Sequence, residues 1–162
     1  MDSMDLRFEV EELYYAYVEC LDEGKLEQWP EFFTADCVYK IIPRDNFERG
    51  LPLAVMLCES KGMLEDRVEA LRRTSVYAPR ALRHLLSNIR IKSVEPSPFA
   101  PALVRVQANY AVLQTLNDDE TRVFNAGKYV DQVALDGETL KFKEKLCVFD
   151  SVLVPGSLIY PI

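Results

Sequence analysis

Histidine is nearly missing from this chain: among 162 residues there is one, His84. A non-haem iron centre needs two histidines and a carboxylate, and an iron–sulfur centre with mixed ligation needs two histidines and two cysteines, so neither can be completed here. The cysteines do not make up the deficit. Cys20, Cys37, Cys58 and Cys147 are widely separated and form no Cys-x-x-Cys pair, so they lack zinc-site spacing and read as small, reduced, packed hydrophobes. Also absent is any run of about 18 apolar residues, the length needed to cross a bilayer. The opening Met1-Asp2-Ser3-Met4-Asp5 carries acids where a secretory signal needs a basic start, so a cytoplasmic location is expected. Cationic charge is short as well. Lys and Arg number 19 against 26 Asp and Glu, and the resulting −7 repels phosphate backbones, which argues against a nucleic-acid partner.

What remains is an ordinary soluble composition, 49% hydrophobic, in a chain long enough to bury a core without staples as a single domain over residues 1–162. The spacing predicts a first helix over Asp5–Asp22, with Leu6, Val10, Leu13, Tyr17 and Leu21 on one stripe and Glu9, Glu12 and Glu19 largely off it. Gly24 stops it. Tyr14, Tyr15 and Tyr17 read as amphipathic core or interface residues rather than as chemistry. The stretch from Leu26 to Phe33 places Leu26, the single tryptophan Trp29 and Phe33 on one face of a short aromatic helix, with Pro30 in its early turns. Thr34-Ala35-Asp36 is expected to end that helix before Val38, Ile41 and Ile42 begin a strand.

A charged loop over Pro43–Gly50 then precedes an apolar strand from Leu51 to Cys58. Ser60 is placed to cap a helix whose inner face is Leu64, Val68 and Leu71 and whose last turn carries Arg72 and Arg73. The second half reads as strand throughout. Ile89 and Ile91 alternate with Arg90 and Lys92; Val104, Val106, Ala108, Tyr110 and Val112 alternate with Arg105, Gln107 and Asn109; Leu140, Phe142, Leu146 and Val148 alternate with Lys141, Lys143 and Lys145. Pro96, Pro98 and Pro101, Asn117-Asp118-Asp119 and Asp136-Gly137 supply the breaks and turns, and Gly127 is expected to mark a β-bulge. Helical segments followed by an antiparallel meander define an α+β fold, helices against one face of a bent sheet.

The residues carry a resemblance across nearly the whole chain. It rests on Leu21-Asp22 with Trp29-Pro30-x-Phe32-Phe33; Asp36-Cys37-x-Tyr39; Asn46-Phe47-Glu48-Arg49-Gly50-Leu51-Pro52-Leu53; Glu59-Ser60-Lys61; Asp66-Arg67-Val68; Arg83-His84; Phe124-Asn125-Ala126-Gly127; and Ile159-Tyr160-Pro161-Ile162. The order of elements resembles the cone-shaped, nuclear-transport-factor-2-like (cystatin-like) fold. The residues resemble the small (β) subunits of Rieske-type aromatic-ring-hydroxylating oxygenases. Within that family the Asn46–Leu53 segment and the tail are most similar to the salicylate 5-hydroxylase branch, with terephthalate- and benzoate-type dioxygenases as neighbours.

The resemblance implies a structural subunit of a three-plus-three hexamer. Its large (α) subunit would hold the Rieske 2Fe-2S cluster and a mononuclear non-haem iron, supplied with electrons from NADH through a reductase and a ferredoxin. This chain would then carry no catalytic, cofactor or metal residue. Its expected subunit contacts are Arg80, Arg83, His84 and the tail Leu158, Ile159, Tyr160, Pro161 and Ile162, the alternative for the tail being a last strand tucked onto its own sheet.

A competing expectation is an independent enzyme or ligand-binding module on the same cone. The strand after the aromatic helix offers Tyr39, Lys40, Ile41 and Ile42 where such enzymes place an acid, which weighs against it. Asp22, His84, Asp131 and Glu144 are the remaining acid–base candidates. The isolated chain is predicted to bind no iron. Metal analysis of the purified chain checks this, and stoichiometric iron surviving chelation is the contrary result.

Overall fold

A computed structural model describes residues 3–74, 79–96, 102–117, 119–136, 138–154 and 158–162. The expected breaks at Pro98, Pro101, Asp118 and Gly137, and Pro155 of the tail, lie outside the described residues. Helix α1 (Ser3–Asp22) leads into a 3-10 helix (Leu26–Phe32), strand β1 (Phe33–Pro43), the short helix α2 (Arg44–Glu48), β2 (Met56–Cys58) and α3 (Lys61–Arg73). Four long strands follow: β3 (Arg80–Glu95), β4 (Leu103–Leu116), β5 (Arg122–Asp136) and β6 (Thr139–Phe149). They form one sheet in the order β2-β1-β6-β5-β4-β3.

The pairing is antiparallel throughout except one pair in from the β2 edge, where β1 runs parallel to β6. Strands β3 to β6 form the expected antiparallel meander, and the parallel β1 is added to its β6 side. The chain makes the early strands first, crosses over through α3, and the last strand returns to lie beside the first.

Four local expectations are corrected. The aromatic helix is 3-10 rather than α: Gln28 N donates to Lys25 O at 2.9 Å, an i→i−3 bond, and Pro30 inside the segment has no N–H to give an α-helical one. Thr34–Asp36, expected as its terminator, already belongs to β1. Between Pro43 and Gly50 the chain forms α2 instead of a loop, and of Leu51–Cys58 only the last three residues pair with β1.

The helices bury the faces that their sequences present. Val10, Leu13, Tyr14, Tyr17, Val18 and Leu21 of α1 are buried against the sheet, whereas Tyr15 points outward. In α3, Ser60 accepts a hydrogen bond from Met63 N at 3.3 Å, and Leu64 and Val68 pack inward. On β4 the alternation of Val104, Val106, Ala108, Tyr110 and Val112 is buried at every position. A bulge in β3 between Ser87 and Arg90 contains Asn88 at φ 53°, a left-handed conformation that asparagine tolerates.

Gly127 does not mark a bulge. It pairs in register with Tyr110 on one side and Phe149 on the other, and the extra residue of β5 is Phe124, between the pairs Val112–Asn125 and Leu113–Val123. The need for glycine is steric. A Cβ at this position would sit 2.0 Å from Val148 O and 2.7 Å from Phe149 Cα, both backbone atoms of the adjacent strand. Gly127→Ala is therefore expected to push β5 from β6 and lower stability by about 3 kcal/mol, the upper part of the range for overpacking. Denaturant unfolding of the variant beside the parent chain measures the loss.

Candidate functional site

The inside of the curved sheet is where a cone of this kind would hold a ligand, so its contents determine what the chain can do. Side chains occupy it. Trp29, Tyr14, Tyr17, Tyr39, Tyr129, Phe33, Phe142, Lys145 and Ile162 are all essentially without solvent exposure. The rings meet edge to face, as with Trp29 and Tyr39 at 5.1 Å and Tyr17 and Phe142 at 5.3 Å, while Tyr110 and Tyr129 stack at 4.3 Å.

At the centre of this aromatic box sits a lysine. Lys145 Nζ lies 2.9 Å from Asp131 Oδ2, both side chains wholly buried, and 3.5 Å above the Tyr129 ring, with Phe142 at 4.3 Å and Tyr17 at 4.6 Å. Asp131 also accepts from the Tyr14 hydroxyl, and from Leu146 N at 3.1 Å. Burial pushes the Asp131 carboxyl above its ordinary range, opposed by the Lys145 charge and by the bonds from Tyr14, Lys145 and Leu146.

Simple alternation on β6 predicts Lys145 on the wetter face, together with Lys141 and Lys143. A bulge overturns this. The pair Glu144–Gln132 is followed by Phe142–Val133, leaving Lys143 as the extra residue, so Phe142 and Lys145 share the inner face although they are three apart. Lys143 reaches the Asp36 carboxylate instead. The sequence does hold a signal for this centre: Tyr129, Asp131 and Val133 alternate onto one face of β5, placing an acid in an apolar row.

Asp22 and His84 are brought together as a second pair. The Asp22 carboxylate, at the end of α1, accepts from His84 N at 3.0 and 3.1 Å and lies 2.6 Å from Nδ1. A carboxylate can only accept there, so Nδ1 carries the proton. The arrangement fastens the helix end to β3. A surface depression of about 440 Å³, lined by Glu12, Tyr15, Glu19, Asp22 and Arg83 among others, reaches Asp22, but His84 does not line it and its Nε2 is enclosed without a partner. Glu144 is half-buried on β6, apart from either pair.

Of the expected contact residues, Arg83 is exposed, and Arg80 is half-buried with its guanidinium 5.1 Å from the Tyr160 ring centre. Within the tail, Ile159, Pro161 and Ile162 are buried in this chain's own interior and Leu158 and Tyr160 are half-buried. The four cysteines are buried and free; burial raises the thiols of Cys20 and Cys37 to about 11 and that of Cys147 to about 12, which keeps them protonated and unreactive. Among the described residues no group of three or more His, Cys, Asp or Glu side chains is placed to hold a metal ion.

The centre of the cone is filled and ion-paired, and the chain belongs to the ring hydroxylating beta subunit family, which it matches over residues 17–155. It is 35% identical to the small subunit of anthranilate 1,2-dioxygenase from Burkholderia cepacia, across 99% of this chain and 97% of that one. It is 32% identical to a beta subunit of the terminal oxygenase component of terephthalate 1,2-dioxygenase from a Comamonas species, across 91% and 92%. A crystal structure from Novosphingobium aromaticivorans DSM 12444, assigned as the beta subunit of an aromatic-ring-hydroxylating dioxygenase, superposes with a TM-score of 0.87 at 42% identity and 99% coverage of both chains. The expected α+β cone and the expected family both hold.

The buried pair generates a prediction. Lys145→Met leaves a wholly buried carboxylate without its cation and is expected to cost about 3–5 kcal/mol, whereas Lys145→Met combined with Asp131→Leu recovers most of that loss. Guanidinium unfolding of the single and double variants, run as a double-mutant cycle, checks it.

Proposed function

We infer that this chain is the non-catalytic small subunit of a cytoplasmic, multicomponent Rieske non-haem iron oxygenase that hydroxylates an aromatic acid, with salicylate converted to gentisate as the specific reaction. The observation that carries the reading is the filled interior. Asp131 and Lys145 are closed off from any substrate, and the Asp22–His84 pair is used up in joining α1 to β3. The donor set described above fits no metal site, so the Rieske cluster and the mononuclear iron are assigned to the large (α) subunit. Anthranilate and terephthalate, the compounds in the names of the two relatives, are both aromatic carboxylates, which supports that substrate class.

Three copies of each subunit are proposed to assemble, with ferredoxin and reductase acting through the large subunit. Surface is available for this. Leu51, Leu53, Val55 and Leu57 are exposed at alternate positions along the approach to the edge strand β2, an apolar row of the kind that marks an interaction surface. Arg83, with the outer sides of Leu158 and Tyr160, extends the proposed contact.

Co-expression with the large subunit tests the reading. His84→Ala, Asp22→Asn and Glu144→Gln are expected to leave turnover per assembled hexamer within a few-fold of the parent, even where less hexamer forms. Leu53→Asp is expected to reduce hexamer on a sizing column without unfolding the chain. A proton-transfer role commonly contributes about 10²–10⁴-fold to a rate. A hundredfold fall per hexamer in any of the three polar variants, with iron content unchanged, would sink the structural role.

A further inference from the structure

The last described residue is held the way a ligand is held. Ile162 has no solvent exposure, and its main-chain oxygen accepts from Tyr17 Oη at 3.0 Å, Tyr39 Oη at 3.1 Å and Cys147 Sγ at 3.3 Å. Its N–H donates to Tyr39 Oη at 2.9 Å, and Trp29 Nε1 donates to Tyr17 Oη at 3.3 Å. These groups come from α1, the 3-10 helix, β1 and β6, so four elements converge on one residue that pairs with no strand. Arg67 Nη2 donates to Ile159 O at 3.1 Å, and Arg80 covers the Tyr160 ring. The stretch leading to the tail is bound quite differently: Val152 and Leu153 are 85% and 80% exposed.

We propose that the interior of the cone is a binding site for an apolar peptide that presents a branched aliphatic residue, and that residues 158–162 fill it as the chain's own tethered ligand. Two phenols and a thiol aimed at one oxygen, above an aromatic floor, are a recognition element. Without the tail those hydroxyls would be buried beside an empty apolar space, which costs free energy that an incoming ligand of the same chemistry recovers. The tether keeps the local tail concentration high, so the site is closed in the intact chain. Detachment of the tail, not rearrangement of the core, opens it.

The test uses the full chain with a protease recognition sequence inserted between the exposed Val152 and Leu153, cut after folding. Trp29, the single tryptophan, reports occupancy from within the site. On dilution the cut chain is expected to release its tail peptide, shift Trp29 emission to longer wavelength and keep its far-ultraviolet dichroism. Synthetic peptide 153–162 should restore the emission saturably, and the peptide carrying Ile162→Ala should need at least tenfold more. Tyr39→Phe, which keeps the ring and removes the hydroxyl on both Ile162 bonds, should speed release at least tenfold. A tail that never exchanges, a cut chain that unfolds when the tail leaves, or emission indifferent to added peptide each overturns the proposal, showing the tail to be fixed core.

Discussion

Asp131 and Lys145 face each other directly across β5 and β6, and much of the fold's specificity depends on that contact. An ion pair this deep is weak evidence for net stability, because withdrawing both charges from water costs about as much as their attraction returns. Its effect falls on the alternatives. Slipping β6 by one residue would leave Asp131 buried without a cation and put a charged stem into solvent where Leu146 now packs. The bulge at Lys143 is therefore required. It reverses the inward alternation between Phe142 and Lys145, so one strand can deliver an aromatic wall and a cation to the same face. Through Tyr14 the pair also fixes the rotation of α1, since a helix turned by one position would remove the hydroxyl that completes the Asp131 shell.

Much of the architecture was legible because it is written in period. The α1 stripe, the Ser60 cap, the clean alternation of β4 and the core role of Trp29 follow from single-element patterns and survive in three dimensions. Most of the failures share one cause. The residues that bulge β5 and β6, the steric need at Gly127 and the parallel return of β6 to β1 are all relations between elements. Local hydrophobicity does not encode which backbone will press on Gly127, nor that Lys143 will drop out of register. Asp22 and His84 were recognisable as candidate acid–base residues, yet their partnership spans 62 residues of chain, and its use as a helix-to-strand tie is visible only once both oxygens of Asp22 are seen on the His84 N–H.

The same geometry explains why acid–base residues are present without an acid–base site. Catalytic groups have to meet a reacting atom, which requires an open face and a proton path. Here Asp131 is already engaged by Lys145, Tyr14 and Leu146, and the rings around Lys145 present it with the faces of Tyr129, Phe142, Tyr14 and Tyr17. Outside the cone, apolar residues stand in an exposed row beside β2.

The filled interior also has a mechanical consequence, since a hollow cone could deform into its own empty space. Filling it with large rings gives close packing. The tail adds hydrogen bonds from α1, β1 and β6 at once, so loosening any one of these elements would disturb a shared acceptor at Ile162. The interior thus holds two buried polar junctions, one at Asp131 and one at Ile162. Tyr17 touches both: its ring lies under Lys145 and its hydroxyl is on the tail.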